Sequence, residues 1–510
     1  MRPSPSSVRR GRAVLFAAAL VLAAGLVQAT PGATLTRKDV TWLRRAGFGI
    51  DSAVLARYQA LGRARYLDEL LAGGDDTLPP AIQATIDSYP AVSTPPAELL
   101  AQYRGRQRQL KAMPDGDAKL AAKKALQRDG RELVKQAQQA ELLRAVYGGN
   151  PLKEQMVWFW LNHFSVYGAK GRVRLLAADY EERVIRPHAL GRFRDLVMAT
   201  LKSPAMLEYL DNDKNAAGKV NENYARELME LHTLGVDAGY TQQDVQQLAL
   251  ILTGAGIAPP APDGRPDARR RPAGAVREGL FLFNPRRHDF SDKTLLGRRI
   301  RGSGHAEIEQ AVDLLTRQPA CARFVSRQLA EYFLADRPPP ALVDAMARTF
   351  QQSDGDIARV LRTLLASPEF AATGTRKFAD PMRFLAAAMR LSLDGRPVAD
   401  AAPLANWMAQ LGEPPFGRIT PDGWPLDGAS WSGSGQMARR FDVAAAIGSG
   451  RNRLFVADGA PRTPPALDSP LFRRTLAPWL SPATRAALAK AGTAQEWNTY
   501  LLASPDFNYL

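Results

Sequence analysis

The chain reads as mainly α. The expected form is a large multi-helix globular body with one small β-hairpin excursion near residues 278–300 and a Pro/Gly/Trp loop near 411–431. Three observations predict this. Apolar residues recur at helical spacing in segment after segment of the 510 residues. Capping patterns open those segments, as at Thr36-Arg37-Lys38-Asp39 and Thr241-Gln242-Gln243-Asp244. With 45% hydrophobic and 23% charged residues, the chain has ample material for a large core and is too apolar to be disordered.

The first residues read as a targeting segment. Arg2, Arg9, Arg10 and Arg12 precede an apolar run, Ala13–Val27, and Val27-Gln28-Ala29 is a small-residue cleavage site. The run is short for a membrane span of about 20 residues. Residues 1–29 are therefore expected to be a signal peptide, and residues 30–510 a single large helical domain, exported to the periplasm or the extracellular space. Arg9-Arg10 leaves a twin-arginine route open beside the general secretory one, and no transmembrane segment is expected in the mature chain. Removing those four arginines lowers the formal charge from +16 to +12. Such a balance suits an anionic polymer or a lipid surface as partner, or simply a soluble arginine-rich protein, and no specific nucleic-acid motif accompanies it. Cys321 is the single cysteine, which excludes an internal disulfide and the zinc and haem cysteine patterns.

Taken in order, Thr36 caps a helix running to Gly47, and Asp51 caps the next. Thr77–Pro96, with four prolines, reads as a loop with at most one helical turn. Ala97–Tyr147 predicts long exposed helices broken near Pro114-Asp115-Gly116. Lys153–Val166 is apolar on nearly every side and predicts a buried helix. Asn162 and His163 lie inside it, so another segment must bring them polar partners. Ser-Pro follows an aliphatic helix end at Ser203-Pro204, Ser367-Pro368 and Ser504-Pro505, a cap and first-turn pair. Residues 258–277, centred on Arg269-Arg270-Arg271, read as an exposed Pro/Arg-rich loop. The stretches 279–284 and 294–300 read as the β excursion around a tip that exposes His288, Asp289 and Lys293.

The densest polar stretch is Tyr209–Leu252. Asp211, Asn212, Asn221 and Asn223 belong to an oxygen-rich segment of the kind that holds a divalent cation such as calcium, but it lacks the EF-hand spacing, and turn-forming is the commoner use. Wound at 100° per residue, 221–235 places Glu222, Asn223, Arg226, Glu227 and Glu230 on one arc and His232 on the apolar arc. Glu222, Arg226 and Glu230 form an i, i+4, i+8 ladder, which suits a salt-bridged surface as well as a site. There is no G-x-S-x-G, H-E-x-x-H, Walker loop or dinucleotide fingerprint.

These residues resemble the bacterial domain-of-unknown-function family 1800. The resemblance rests on 35–49 (LTRKDVTWLRRAGFG), 155–164 (QMVWFWLNHF), 203–212 (SPAMLEYLDN), 221–235 (NENYARELMELHTLG), 239–245 (GYTQQDV), 287–297 (RHDFSDKTLLG) and the loop near 414–431. It implies an exported, mostly helical protein that acts with a partner resembling sulfatases or alkaline phosphatases. The family's polar motifs fall here on Asn162, His163, Asp211, Asn212, Asn221, Glu222, Asn223, Arg226, Glu227, Glu230, His288, Asp289 and Lys293. The chain departs from the pattern at Leu161, where a histidine is common, at Ala255, and at His232, where an aromatic is usual. Two functions fit: an envelope binding or scaffold protein, or a hydrolase of an envelope or extracellular polymer. In the second, Glu227 and Glu230 would serve as acid and base near His163 or His288.

Overall fold

Thr36 and Thr241 each accept a hydrogen bond from the backbone N–H three residues on, and the Asp39 and Asp244 carboxylates accept one from the cap N–H in return (2.9 and 2.8 Å). The helices they open are Arg37–Ala46 and Gln242–Ile251. The computed structural model describes residues 35–74, 76–259, 273–374, 376–455 and 463–510. The expected signal segment and the centre of the expected 258–277 loop, with Arg269–Arg271, lie outside the described residues. Residues 35–510 form one compact unit, almost wholly helical. No helix among the described residues is long and apolar enough to cross a membrane.

The long helices are Pro96–Ala112 and Asp117–Tyr147, parted at Gly116, whose φ of +152° suits a residue without a Cβ. The proline-rich stretch before them is more ordered than a loop. Pro80–Asp87 and Pro90–Ser93 are short helices with proline in the first turn, where its missing N–H costs nothing. Of the three Ser-Pro junctions, Ser203 and Ser504 cap short helices, whereas Ser367 only closes a turn onto Phe370.

The body is built around Pro151–His163, which is buried on nearly every side. Trp160 is fully enclosed and its indole N–H donates to the Ala189 carbonyl at 2.9 Å. Each such large side chain contributes roughly 1.5–3 kcal/mol relative to exposure. The polar partners expected for this helix come from two places. His163 meets Gln328 and the His232 carbonyl (2.6 and 3.0 Å). Asn162 clamps the Pro/Gly/Trp loop: its amide donates to the Trp424 carbonyl at 2.9 Å and its oxygen accepts from the Trp424 N–H at 2.6 Å. Gly423 makes this approach possible, because at φ +72° a Cβ would overlap the Asn162 backbone oxygen.

The β excursion is present as two small sheets. β1 (Ala255–Ile257), β2 (Val276–Glu278) and β3 (Phe281–Phe283) pair antiparallel in the order β1-β3-β2, so the 279–284 stretch pairs back onto earlier residues. β4 (Lys293–Leu295) and β5 (Arg298–Ile300) form a separate hairpin. The expected loop at 258–277 thus ends in a strand. The chain end closes on the start of the body, where Arg45 donates to the carbonyls of Phe370 (2.7 Å) and Leu510 (3.2 Å).

The Asn162 clamp is directly testable. Asn162→Ala removes two loop hydrogen bonds and should cost about 2 kcal/mol in chemical denaturation, with faster amide exchange at Trp424. Unchanged stability and exchange would show that the loop is held by its other contacts.

Candidate functional site

The oxygen-rich stretch is occupied by the protein's own cations. Asp211 pairs with Lys170 (2.9 Å) and Lys214 (2.6 Å), and Asp213 with Arg172 (2.8 Å). Burial works against it, but the hydrogen bonds from the two lysines hold the Asp211 carboxyl below its ordinary value. Asn212, Asn221 and Asn223 bind backbone carbonyls of Leu252, Asp211 and Leu210, and the Asn221 and Asn223 bonds fix Asp211 and its neighbour, with Asp211 at φ +58°. These are turn-forming roles. Among the described residues, no group of three or more His, Cys, Asp or Glu could hold a metal ion.

The expected exposed tip at His288 and Lys293 is instead buried, and this corrects the sequence reading. Both side chains are sealed onto Glu307, a residue that reading missed. His288 Nε2 meets one Glu307 oxygen at 2.9 Å and Lys293 Nζ the other at 2.7 Å, while the Ser303 and Gly304 N–H groups donate to the first (2.7 and 2.8 Å). His288 Nδ1 meets the Thr253 carbonyl at 2.8 Å. Burial alone would raise the Glu307 carboxyl, yet His288 and Lys293 hold it below its ordinary value. Asp289 is spent on Ser291, whose N–H it accepts at 2.9 Å. His288 and Lys293 thus tie the ends of the two sheets to the His305–Thr316 helix through Glu307.

The 221–235 stripe departs from one α-helix. Asn223–Glu227 is α, but Leu228–Thr233 is a π turn, so phasing at 100° per residue fails beyond Glu227. His232 is fully buried, 5.0 Å from the Phe164 ring, and neither ring nitrogen has a hydrogen-bond partner among the described residues. It fills the place of an aromatic. Only one rung of the ladder forms: Arg226 reaches Glu222 (3.1 Å) and Gln242 (2.9 Å). Glu227 and Glu230 have no ion pair among the described residues. Burial, then repulsion from Glu230 and Asp422, raises the Glu227 carboxyl against the pull of Arg226. Asn162 and His163 line a cavity of about 50 Å³ with Leu231, Gln328, Asp422 and Trp424. Glu227 and Glu230 are not in its lining. Burial pushes His163 down to about 4, partly offset by its hydrogen bonds to His232 and Gln328, so the ring is neutral near pH 7.

Two features lay outside the sequence reading. The first is a buried charge network. Arg186 binds Glu154 at 2.8 Å and Glu181 at 3.0 Å, with Glu141 at 3.7 Å, and Arg144 pairs with Glu182. Four carboxyl groups share two guanidinium groups. Neither oxygen of Glu141 accepts a conventional hydrogen bond, and its carboxyl lies against that of Glu181. Burial and then the charge of Glu181 raise Glu141 well above its ordinary value, and burial also raises Glu181 against the pull of Arg186. The shift favours the protonated form of Glu141, which has the donor that two facing carboxylates lack.

The second is a groove of about 660 Å³ on the other side of the same segment. Its walls come from the start of Pro96–Ala112, the π turn Tyr180–Ile185, the helix Phe193–Lys202 and the β2–β3 turn. Val184, Met198, Ala199, Pro204, Leu280 and Phe281 give it an apolar floor. Arg183, Arg194, Lys202 and Arg277 stand along it with Asp179, Asp195 and Glu278.

The family model for "Protein of unknown function (DUF1800)" covers residues 41–509. The chain belongs to this family. No curated protein and no solved structure matches it. The DUF1800 match spans the buried network, the groove and the Glu227 stripe alike.

Two substitutions test the charge assignments in this DUF1800 chain. Because Glu141 and Glu181 are raised on folding, the folded form holds a proton that the unfolded chain releases, and stability falls as pH rises above the ordinary glutamate value. Glu141→Gln keeps the shape and supplies an uncharged donor. It should flatten the fall in Tm as pH rises above the ordinary glutamate value, and a slope like that of the parent chain would show that Glu141 holds no proton there. Glu227→Gln removes a carboxylate disfavoured by burial, so Tm at pH 7 should stay level or rise. A drop of several degrees would mark Glu227 as a structural acceptor.

Proposed function

We propose that the chain is an exported binding protein of the cell envelope, and that the 660 Å³ groove is its ligand site. The groove carries this reading. It has the volume of a small-molecule site, an apolar floor and a few charged groups placed along the walls. Its wall is anchored from behind by the Arg186 network, which supports a site that keeps its shape without ligand. A sulfatase-like partner would be a source or consumer of such a ligand, a link that rests on the family resemblance.

The hydrolase reading has one observation in its favour: the raised, unpaired Glu227 carboxyl. Against it stands space. The cavity beside Asn162 and His163 is about 50 Å³, enough for a water molecule but not for a sugar ring or a peptide unit.

The binding reading is checked with an uncharged, environment-sensitive dye. Nile red should brighten and shift to the blue on titration with the full mature chain, and Ala199→Trp, which fills the groove floor, should abolish the change at unaltered Tm. A dye response that survives this substitution would place binding elsewhere, and no response in the parent chain would remove the groove as a site.

A further inference from the structure

We infer that the groove selects an anionic amphiphile: an unbranched apolar body with one acidic head, of the carboxylate or phosphate-monoester type. This inference rests on the binding reading above and specifies the ligand for that same site.

The helix Phe193–Lys202 gives the groove its long axis. Arg194, Met198 and Lys202 follow at i, i+4 and i+8, so they share one face, with a cation at each end and an apolar side chain between. Eight residues of helix span about 12 Å, the extended length of about ten carbons. Opposite the apolar centre are Leu280 and Phe281, both buried. An apolar chain laid there covers the floor formed with Val184, Met198, Ala199 and Pro204.

The ends differ in the hydrogen-bond donors they keep. At one end Lys202 is committed: it pairs with Glu278 at 2.7 Å and sits 5.9 Å from the centre of the Phe281 ring. At the other, Arg194 spends its Nε on Asp313 at 2.7 Å, and Asp313 does not line the groove. Its nearest groove carboxylate, Asp195, is 3.5 Å from Nη1, beyond a strong bond. Arg183 binds Asp179 through Nη1 alone (2.7 Å) and leaves more than half of its side chain in solvent. Both guanidinium groups therefore retain donors in the fork arrangement that matches two oxygens of one acidic head. A cationic head would meet these arginines in place of a partner. The formal charge of +12 expected for the mature chain adds a long-range preference of the same sign.

The test uses three probes with the same body, namely decanoate, decanol and decylamine, each displacing Nile red from the full mature chain below its micelle concentration. Butyrate is the short-body control. Decanoate should bind about tenfold more tightly than decanol, decylamine more weakly than either, and butyrate should not compete. Arg194→Gln should bring decanoate down to the level of decanol. Arg183→Gln should narrow the gap as well, and it leaves the Arg194–Asp313 contact in place should the first variant fold poorly. Equal displacement by decanoate and decanol, or a preference for decylamine, would overturn the acidic head while leaving the groove as the binding site. Competition by butyrate as strong as by decanoate would overturn the apolar body. Loss of dye binding from the parent chain itself belongs to the other case, in which the binding reading fails first.

Discussion

Glu154 on the central buried helix and Glu181 on the π turn meet on one guanidinium, that of Arg186, at 2.8 and 3.0 Å, out of contact with water. Glu141 of the Asp117–Tyr147 helix joins them through its contact with Glu181. Three backbone segments are locked by this one group. Charges this deep are costly to desolvate, and removing one partner leaves the others stranded at a cost of about 3–5 kcal/mol. The arrangement is better understood as a device that fixes geometry than as a source of net stability. What it fixes is the Tyr180–Ile185 turn, whose other face offers Arg183 and Val184 to the groove. Site and core are two sides of one short segment.

The π turns explain where local reasoning stops. Thr36, Asp51 and Thr241 act within three residues of themselves, so their helices were legible as patterns. So was the need of Asn162 and His163 for outside partners, because a buried amide and imidazole must be satisfied whatever the fold. The stripe at 221–235 was legible only as far as Glu227, since a helical wheel assumes one pitch and Leu228–Thr233 has another. The Arg186 network joins residues 141, 154, 181 and 186, and its strongest contact crosses 32 positions. Read locally, those glutamates are ordinary members of helical faces. The groove is harder still: four separate segments build it, and each contributes only one to three apolar residues that any helix or strand end would carry. Glu307, which makes His288 and Lys293 structural, was likewise invisible as their partner, 19 and 14 positions away.

The two candidate sites divide the chemistry between them. Around Glu227, burial and the nearby carboxyl groups of Glu230 and Asp422 raise its proton affinity. In the groove there is space, apolar surface and guanidinium groups with donors to spare. The polar motifs that first drew notice, at Asp211–Asn223 and at His288–Lys293, belong to neither. They are joints whose donors and acceptors answer one another.

Photolabelling tests the central claim that the groove is where the ligand sits. A decanoate analogue bearing a diazirine would be irradiated with the full mature chain and the labelled peptides mapped by mass spectrometry. Adducts confined to residues 183–204 and 277–281, and suppressed by excess decanoate, are the predicted result. Adducts at 227–232 and 422–426, or labelling spread evenly over the surface, would contradict it.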